Sequence, residues 1–159
     1  MTRLLPPRLQ LNHANDNSWH SDVRELLDFL PVLYPGGEQW LDARLRLIDE
    51  GKAVAHLVRD HAGTLVGVML GIAKDAHRFK VSTLYVAPGH RGAGVGRTLL
   101  DAALLRAQQA ECTEVYITGA TTVRDELSPL LSSRRFVRIA TERDRYGVGR
   151  DEDVYSRAL

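Results

Sequence analysis

The residues best suited to chemistry run from Val86 to Thr98: Val86-Ala87-Pro88-Gly89-His90-Arg91-Gly92-Ala93-Gly94-Val95-Gly96-Arg97-Thr98. Three alternating glycines, Gly92, Gly94 and Gly96, let a backbone take positive φ and come close to a ligand. A helix that starts directly after such a loop presents unpaired N–H groups and the positive end of its dipole. Together these make a cradle for phosphate or pyrophosphate. Arg91 and Arg97 add charge to that cradle, and Thr98 adds a hydroxyl. Between Asp75 and Asp101 the chain has no acidic residue, while Arg78, Lys80, Arg91 and Arg97 all fall there. A locally basic, acid-free segment in a chain of net charge +1 points to an anion bound at that place rather than to a generally basic scaffold.

The elements around the loop must hold it in place. Phe79–Val86, rich in β-branched and aromatic residues, reads as the strand before it. Val95, Leu99, Leu100, Ala103, Leu104 and Ala107 recur at helical steps and read as the helix after it. Ahead of these lie a short strand at Arg8–Leu11, a helix that Ser21 can cap and that breaks at Pro31, and a helix from about Trp40 to Gly51. Ala53–Val58 and Leu65–Ile72 follow as a hairpin, with Gly67 and Gly71 marking bulges or close backbone approach. Behind the loop come a strand at Glu114–Thr118, a helix near Asp125–Ser133 that Pro129 must begin or kink, and a last hairpin of Phe136–Glu142 with Asp153–Ser156. This order predicts an α/β (α+β) fold: a mixed, largely antiparallel sheet of six to seven strands flanked by about four helices. The 159 residues, 44% hydrophobic and 26% charged, suit one domain over residues 1–159. A single cysteine, Cys112, excludes an internal disulfide and predicts a reducing, cytoplasmic setting. The apolar runs are too short for a membrane span, the start has no signal-peptide core, and the six histidines show no metal-ligand spacing. No metal is expected.

Three phosphate motifs compete for the loop. The pattern G-x-x-x-x-G-K-[ST] fails at Arg91 and Arg97, and G-x-G-x-x-G fails at Arg97 and Leu99. The pattern [RQ]-x-x-G-x-[GA] is satisfied at every fixed place by Arg91-Gly92-Ala93-Gly94-Val95-Gly96. With Leu84-Tyr85-Val86-Ala87-Pro88-Gly89-His90 before it, Leu99-Leu100 after it and the element order on both sides, the chain resembles the GNAT superfamily of N-acetyltransferases. The resemblance implies acetyl-coenzyme A as co-substrate, with no covalent enzyme intermediate and an amine attacking the thioester directly. It places the pyrophosphate on Arg91, Gly92, Ala93, Gly94, Val95, Gly96, Arg97 and Thr98. It lays the pantetheine arm along Leu84, Tyr85 and Val86, with a backbone N–H near Tyr85–Val86 polarising the thioester carbonyl. Two parallel strands, Leu84–Val86 and Val115–Ile117, are expected to splay apart around the co-substrate.

The departures from the family pattern concern proton transfer. Leu131 stands where many relatives place a Tyr acid, Arg135 replaces the glycine of a Gly-Phe step, Arg124 replaces an Asn, and Lys80 replaces a Glu base. Ser132 is therefore taken as a stand-in acid and Glu38 as a stand-in base, with Tyr34 and Tyr146 lining the same cleft. The acceptor is expected to be a primary amine on a small molecule or a protein. A non-catalytic acyl-coenzyme A sensor is the alternative, motivated by the missing Tyr and Glu. Action on an aminoacyl-tRNA is another; the modest net charge argues against nucleic acid as partner. Family members are often homodimers, and a homodimer is carried as an expectation.

Overall fold

The computed structural model describes residues 8–11 and 18–159. Seven strands form one sheet in the order β1-β2-β3-β4-β5-β7-β6. They are β1 (Arg8–Leu11), β2 (Val54–Arg59), β3 (Leu65–Ala73), β4 (Arg78–Val86), β5 (Glu114–Ala120), β6 (Val137–Glu142) and β7 (Glu152–Ala158). Every neighbouring pair is antiparallel except β4 and β5, which run parallel. The sheet is thus mixed and largely antiparallel, with the expected parallel pair.

Five helices cover it, one more than the sequence suggests. The extra one comes from the front segment. Helix α1 (Ser18–Leu26) presents Trp19 and Val23 to the core, and Ser21 lies inside it rather than at its cap. The chain then turns at Leu27–Phe29, ahead of the break expected at Pro31. Pro31 instead sits in the first turn of α2 (Leu30–Leu33), where its missing N–H has no helical partner to lose. Helix α3 (Gly37–Asp49) buries Leu41, Leu45 and Ile48 at helical spacing. These three helices pack with Leu57, Val68 and Leu70 on one face of the sheet.

The other face carries α4 (Val95–Gln109) and α5 (Arg124–Ser132). Leu99, Leu100, Ala103, Leu131 and Phe136 pack there with Val66, Met69, Phe79, Val81, Val115 and Ile117. Residues Leu65 to Gly71 of β3 are all buried, as a strand covered on both faces requires. Gly67 makes the close approach that its place in a strand suggests: a Cβ there would lie 2.7 Å from Val95 Cγ1 and 3.1 Å from Leu99 Cδ1. This contact seats the first turn of α4 directly on the sheet. Pro129 stands in the interior of α5, past its first turn, so that turn lacks one backbone hydrogen bond.

Among the described residues no helix is long and apolar enough to cross a membrane, and no cluster of His, Cys, Asp and Glu could hold a metal ion. Cys112 is buried and unpaired, and burial pushes its thiol up from the usual range.

Candidate active site

The loop between β4 and α4 folds as its glycines demand. Gly92 and Gly94 take φ +80° and +86°, and Gly94 sits at the N-cap of α4. The N–H of Arg91 donates to Pro88 O and that of Thr98 to Gly94 O. Between them, none of the six amides from Gly92 to Arg97 has a backbone partner. These amides, at the positive end of a fifteen-residue helix, are a ready anion cradle. Gly92, Gly94, Gly96, Arg91 and Arg97 line a cleft of about 1100 Å³. Among the described residues Arg97 has no ion-pair partner. Arg91 is held by its surroundings: its Nε donates to Val86 O at 2.9 Å and its guanidinium lies 5.5 Å from the Tyr85 ring. Thr98 Oγ1 donates back to Gly94 O at 3.0 Å, which ties the helix start together.

From the loop the cleft runs along β4. The parallel pairing with β5 covers Arg78 to Val81, opposite Glu114 to Ile117, and stops there. Val115–Ile117 therefore pairs with Phe79–Val81, and the split opens further along than expected, between Ser82–Val86 and Thr118–Ala120. A bulge marks its start. Gly71 faces Val81 and Leu70 faces Thr83, so Ser82 is the extra residue. Backbone direction after the bulge follows from one bond, Ala87 N–H to Val66 O. Alternation along the strand turns the backbone groups of Tyr85 toward β3 as well and leaves those of Leu84 and Val86 facing the split. Of the amides near Tyr85–Val86 expected to polarise the thioester, that of Tyr85 is thus turned toward β3 and that of Val86 faces the split, as does that of Leu84. The Tyr85 ring still lines the cleft and packs on Phe29 at a centroid distance of 4.7 Å.

The far end of the cleft is assembled from α2 and the β6–β7 loop. The Tyr34 ring stands edge-on to Tyr146 at 4.9 Å. Its hydroxyl donates to Glu152 Oε1 at 3.3 Å, and the Arg150 guanidinium donates to Leu33 O. Glu152, the first residue of β7, is only 3% exposed, and its Oε2 has no partner among the described residues. Burial raises the Glu152 carboxyl above its usual range, against the opposing pull of the Tyr34 hydrogen bond and of Arg145. Burial, with the Glu152 carboxylate beside it, pushes the Tyr34 phenol up to about 12. Next to Glu152, Asp153 is fully buried on the opposite face and held by Arg124 at 2.7 and 2.8 Å, which keeps its carboxyl low.

The stand-in groups named from sequence fall elsewhere. Glu38 is exposed in the first turn of α3, and Ser132 is exposed at the end of α5; neither lines the cleft. Leu131 points into the core with no exposure. Lys80 lies 6.0 Å from the Tyr116 ring in a neighbouring cavity of about 320 Å³, and Thr118 lines both that cavity and the main cleft. Arg124 is tied to Asp153. Tyr34 and Tyr146 do line the cleft, as expected. Two groups escaped sequence reasoning: Glu152, and Ser82, whose buried Oγ also has no partner and lines the split. Only the burial of each, which depends on distant segments, singles it out.

Residues 20–127 match the family model described as the Acetyltransferase (GNAT) family. A mycothiol acetyltransferase of Propionibacterium freudenreichii subsp. shermanii is 34% identical over 128 residues, which is 73% of this chain and 40% of that protein. The chain thus spans about 40% of the length of this curated relative. A GNAT family acetyltransferase from Elizabethkingia anophelis, solved with acetyl-CoA bound, shares the fold with a TM-score of 0.73 at 14% identity, over 96% of this chain and 98% of that one. A chain of the NatC complex bound to Gag peptide and CoA superposes with a TM-score of 0.80 at 15% identity, over 98% and 99% of the two chains. Loop, split sheet and sequence match agree, and the chain belongs to the acetyltransferase (GNAT) family.

Proposed function

We propose that this protein transfers an acetyl group from acetyl-coenzyme A to a primary amine, by direct attack of the amine on the thioester. The observation that carries the reading is one continuous cleft. It joins a row of unpaired amides at a helix N-terminus, a strand with open backbone groups, and a buried carboxylate at the far end. The three parts match the three parts of the reaction in order.

The amides of Gly92, Ala93, Gly94, Val95, Gly96 and Arg97 hold the pyrophosphate, with the side chain of Arg97 adding charge. Arg91 and Thr98 fix the loop from either side through Val86 O and Gly94 O. The open backbone of Leu84 and the N–H of Val86 pair with the pantetheine amides as an added strand would. One of those two N–H groups donates to the thioester oxygen and stabilises the charge that develops there. The Tyr85 ring walls the thioester from α2. No side chain of the cleft needs to become acylated, in keeping with the buried Cys112 lying outside it.

The test is thiol release from acetyl-coenzyme A, followed over a panel of primary amines on small molecules, peptides and an aminoacyl-tRNA. Amine-dependent release, with the acetylated product found by mass spectrometry, is the expected result. Tight binding of acetyl-coenzyme A with no release for any amine would favour a sensing role instead.

A further inference from the structure

The acceptor end of the cleft holds a group that no part of the co-substrate needs. Glu152 is almost fully enclosed, yet one of its two carboxylate oxygens meets no donor. A buried carboxylate oxygen without a partner is costly, and such groups persist where a ligand completes them. Glu152 lines the cleft, as do the rings of Phe29, Tyr34, Tyr85 and Tyr146 and the side chain of Leu33. This end of the cavity offers an aromatic wall and an unmet carboxylate oxygen.

We propose, on the acetyl-transfer reading above, that Glu152 receives the acceptor's ammonium group and removes its proton, and that Tyr34 positions it. The acceptor is a primary amine whose nearest substituent is apolar, because Phe29, Leu33, Tyr34 and Tyr146 are what that substituent meets. An ammonium supplies the donor that Oε2 lacks, and the Tyr34 hydroxyl fixes Oε1. The steps balance. Glu152 takes one proton from the ammonium, leaving a neutral amine. The amine lone pair forms the new C–N bond at the thioester carbon. The C–S bond then breaks with its electron pair going to sulfur, and the remaining excess proton on nitrogen passes to the thiolate. Amide and free thiol result, and Glu152 releases its proton to solvent.

The charged and titratable groups facing Glu152 set its behaviour. Tyr34 donates from the end of α2, Arg145 brings positive charge from the β6–β7 loop, and Glu142 of β6 and Asp153 of β7 bring negative charge, while Tyr146 and Arg150 of the same loop act on the Tyr34 hydroxyl. Burial outweighs the favourable contacts, so the acid limb of kcat/KM falls above the ordinary carboxylate range.

The experiment uses 2-phenylethylamine, plus unblocked tripeptides with apolar first residues, as acceptors for the wild type and for Glu152→Gln, Tyr34→Phe and Glu38→Gln. The proposal expects a hundredfold or greater loss of kcat/KM in Glu152→Gln with loss of the acid limb, and acetyl-coenzyme A affinity within twofold. Tyr34→Phe keeps the carboxylate but removes the bond that favours its charged form, so the acid limb moves up in pH. Glu38→Gln stays within twofold of the wild type. Wild-type kcat/KM with an unchanged pH profile in Glu152→Gln overturns the proposal. So does an unmoved limb in Tyr34→Phe, which remains decisive if Glu152→Gln does not fold. A wild type that acetylates other primary amines of the wider panel but none of these overturns the apolar-acceptor assignment, whereas one that binds acetyl-coenzyme A and acetylates no amine of the panel overturns the acetyl-transfer reading itself.

Discussion

Replacing Gly94 by alanine separates the backbone geometry of the loop from its ligand. Gly94 stands at φ +86°, where an L-residue is disfavoured by about 1–2 kcal/mol. Sterics add little, since the nearest atom to an added Cβ is Arg97 Nη2 at 3.9 Å. Gly63, in the β2–β3 turn, supplies the control: its φ is +82°, and nothing lies within 4 Å of an added Cβ. Both variants should therefore lose the same stability, and at about 2–4 °C per kcal/mol both melting temperatures fall by about 2–8 °C. Affinity separates them. A loop that relaxes away from positive φ turns the amides of Gly92 to Arg97 out of register with the pyrophosphate. Hydrogen bonds to a charged group are worth about 1.5–3 kcal/mol each, so losing one weakens acetyl-coenzyme A binding by about 10- to 100-fold and losing two by about 100- to 10,000-fold. Isothermal titration calorimetry on wild type, Gly94→Ala and Gly63→Ala reads both constants directly. If Gly94→Ala binds acetyl-coenzyme A within threefold of wild type, or Gly63→Ala loses as much affinity, the amide cradle is not what holds the co-substrate.

Three further outcomes are expected. Arg97→Ala should weaken acetyl-coenzyme A binding about tenfold and flatten its salt dependence, since this cationic cleft side chain has no ion-pair partner among the described residues; an unchanged salt slope in calorimetry would count against it. His56 is 3% exposed with neither ring nitrogen partnered, and burial lowers it from 6.5 to about 4, with Arg106 adding to the effect. The unfolded chain therefore binds the proton more tightly between those values, so stability is full above pH 6.5 and falls by up to about 3 kcal/mol as pH drops toward 4. Urea titrations of His56→Leu should show that dependence reduced, and an unaltered acid profile would refute it. Arg124→Ala leaves the carboxylate of Asp153, fully enclosed, with only Thr141 Oγ1 at 2.7 Å as its remaining side-chain donor. A loss of about 3 kcal/mol in the urea midpoint analysis is expected, and a loss below about 1 kcal/mol would show that the pair is not needed.

What could be read from sequence was what local rules determine. The strand, the glycine loop and α4 are contiguous, and their signals are periodicity and turn chemistry over about twenty residues. The front helices were harder. Pro31 looks like a terminator, but a proline is equally at home in a first helical turn, and the break at Leu27–Phe29 is set by packing of Leu27 and Leu30. The point where β4 and β5 part could not be read, because the last pair, Val81 with Ile117, lies just before a bulge at Ser82 that depends on the pairing of β4 with β3. The same bulge decides which amides face the split, so the choice between Tyr85 and its neighbours lay beyond any motif. Arg135 shows another limit. It takes φ +65° where relatives of its motif carry glycine, so the backbone bend is kept although the residue type that announces it is gone. Glu152 sits in an Asp-Glu-Asp run that reads as solvated surface. Tyr34, 118 positions earlier, helps make it an interior group.

The two ends of the cleft differ in how they are encoded. In the proposed reading the co-substrate end comes from one unbroken stretch, Ser82 to Arg97. The acceptor end joins Phe29–Tyr34 to Tyr146–Glu152 through Tyr34–Glu152, Tyr34–Tyr146 and Arg150–Leu33. Two short segments, far apart in the chain and sharing no residue with the cradle, can therefore be exchanged as a matched pair. Acceptor choice can change by grafting while the thioester-binding half is inherited intact, and a graft of either segment alone would leave a cleft whose halves do not fit.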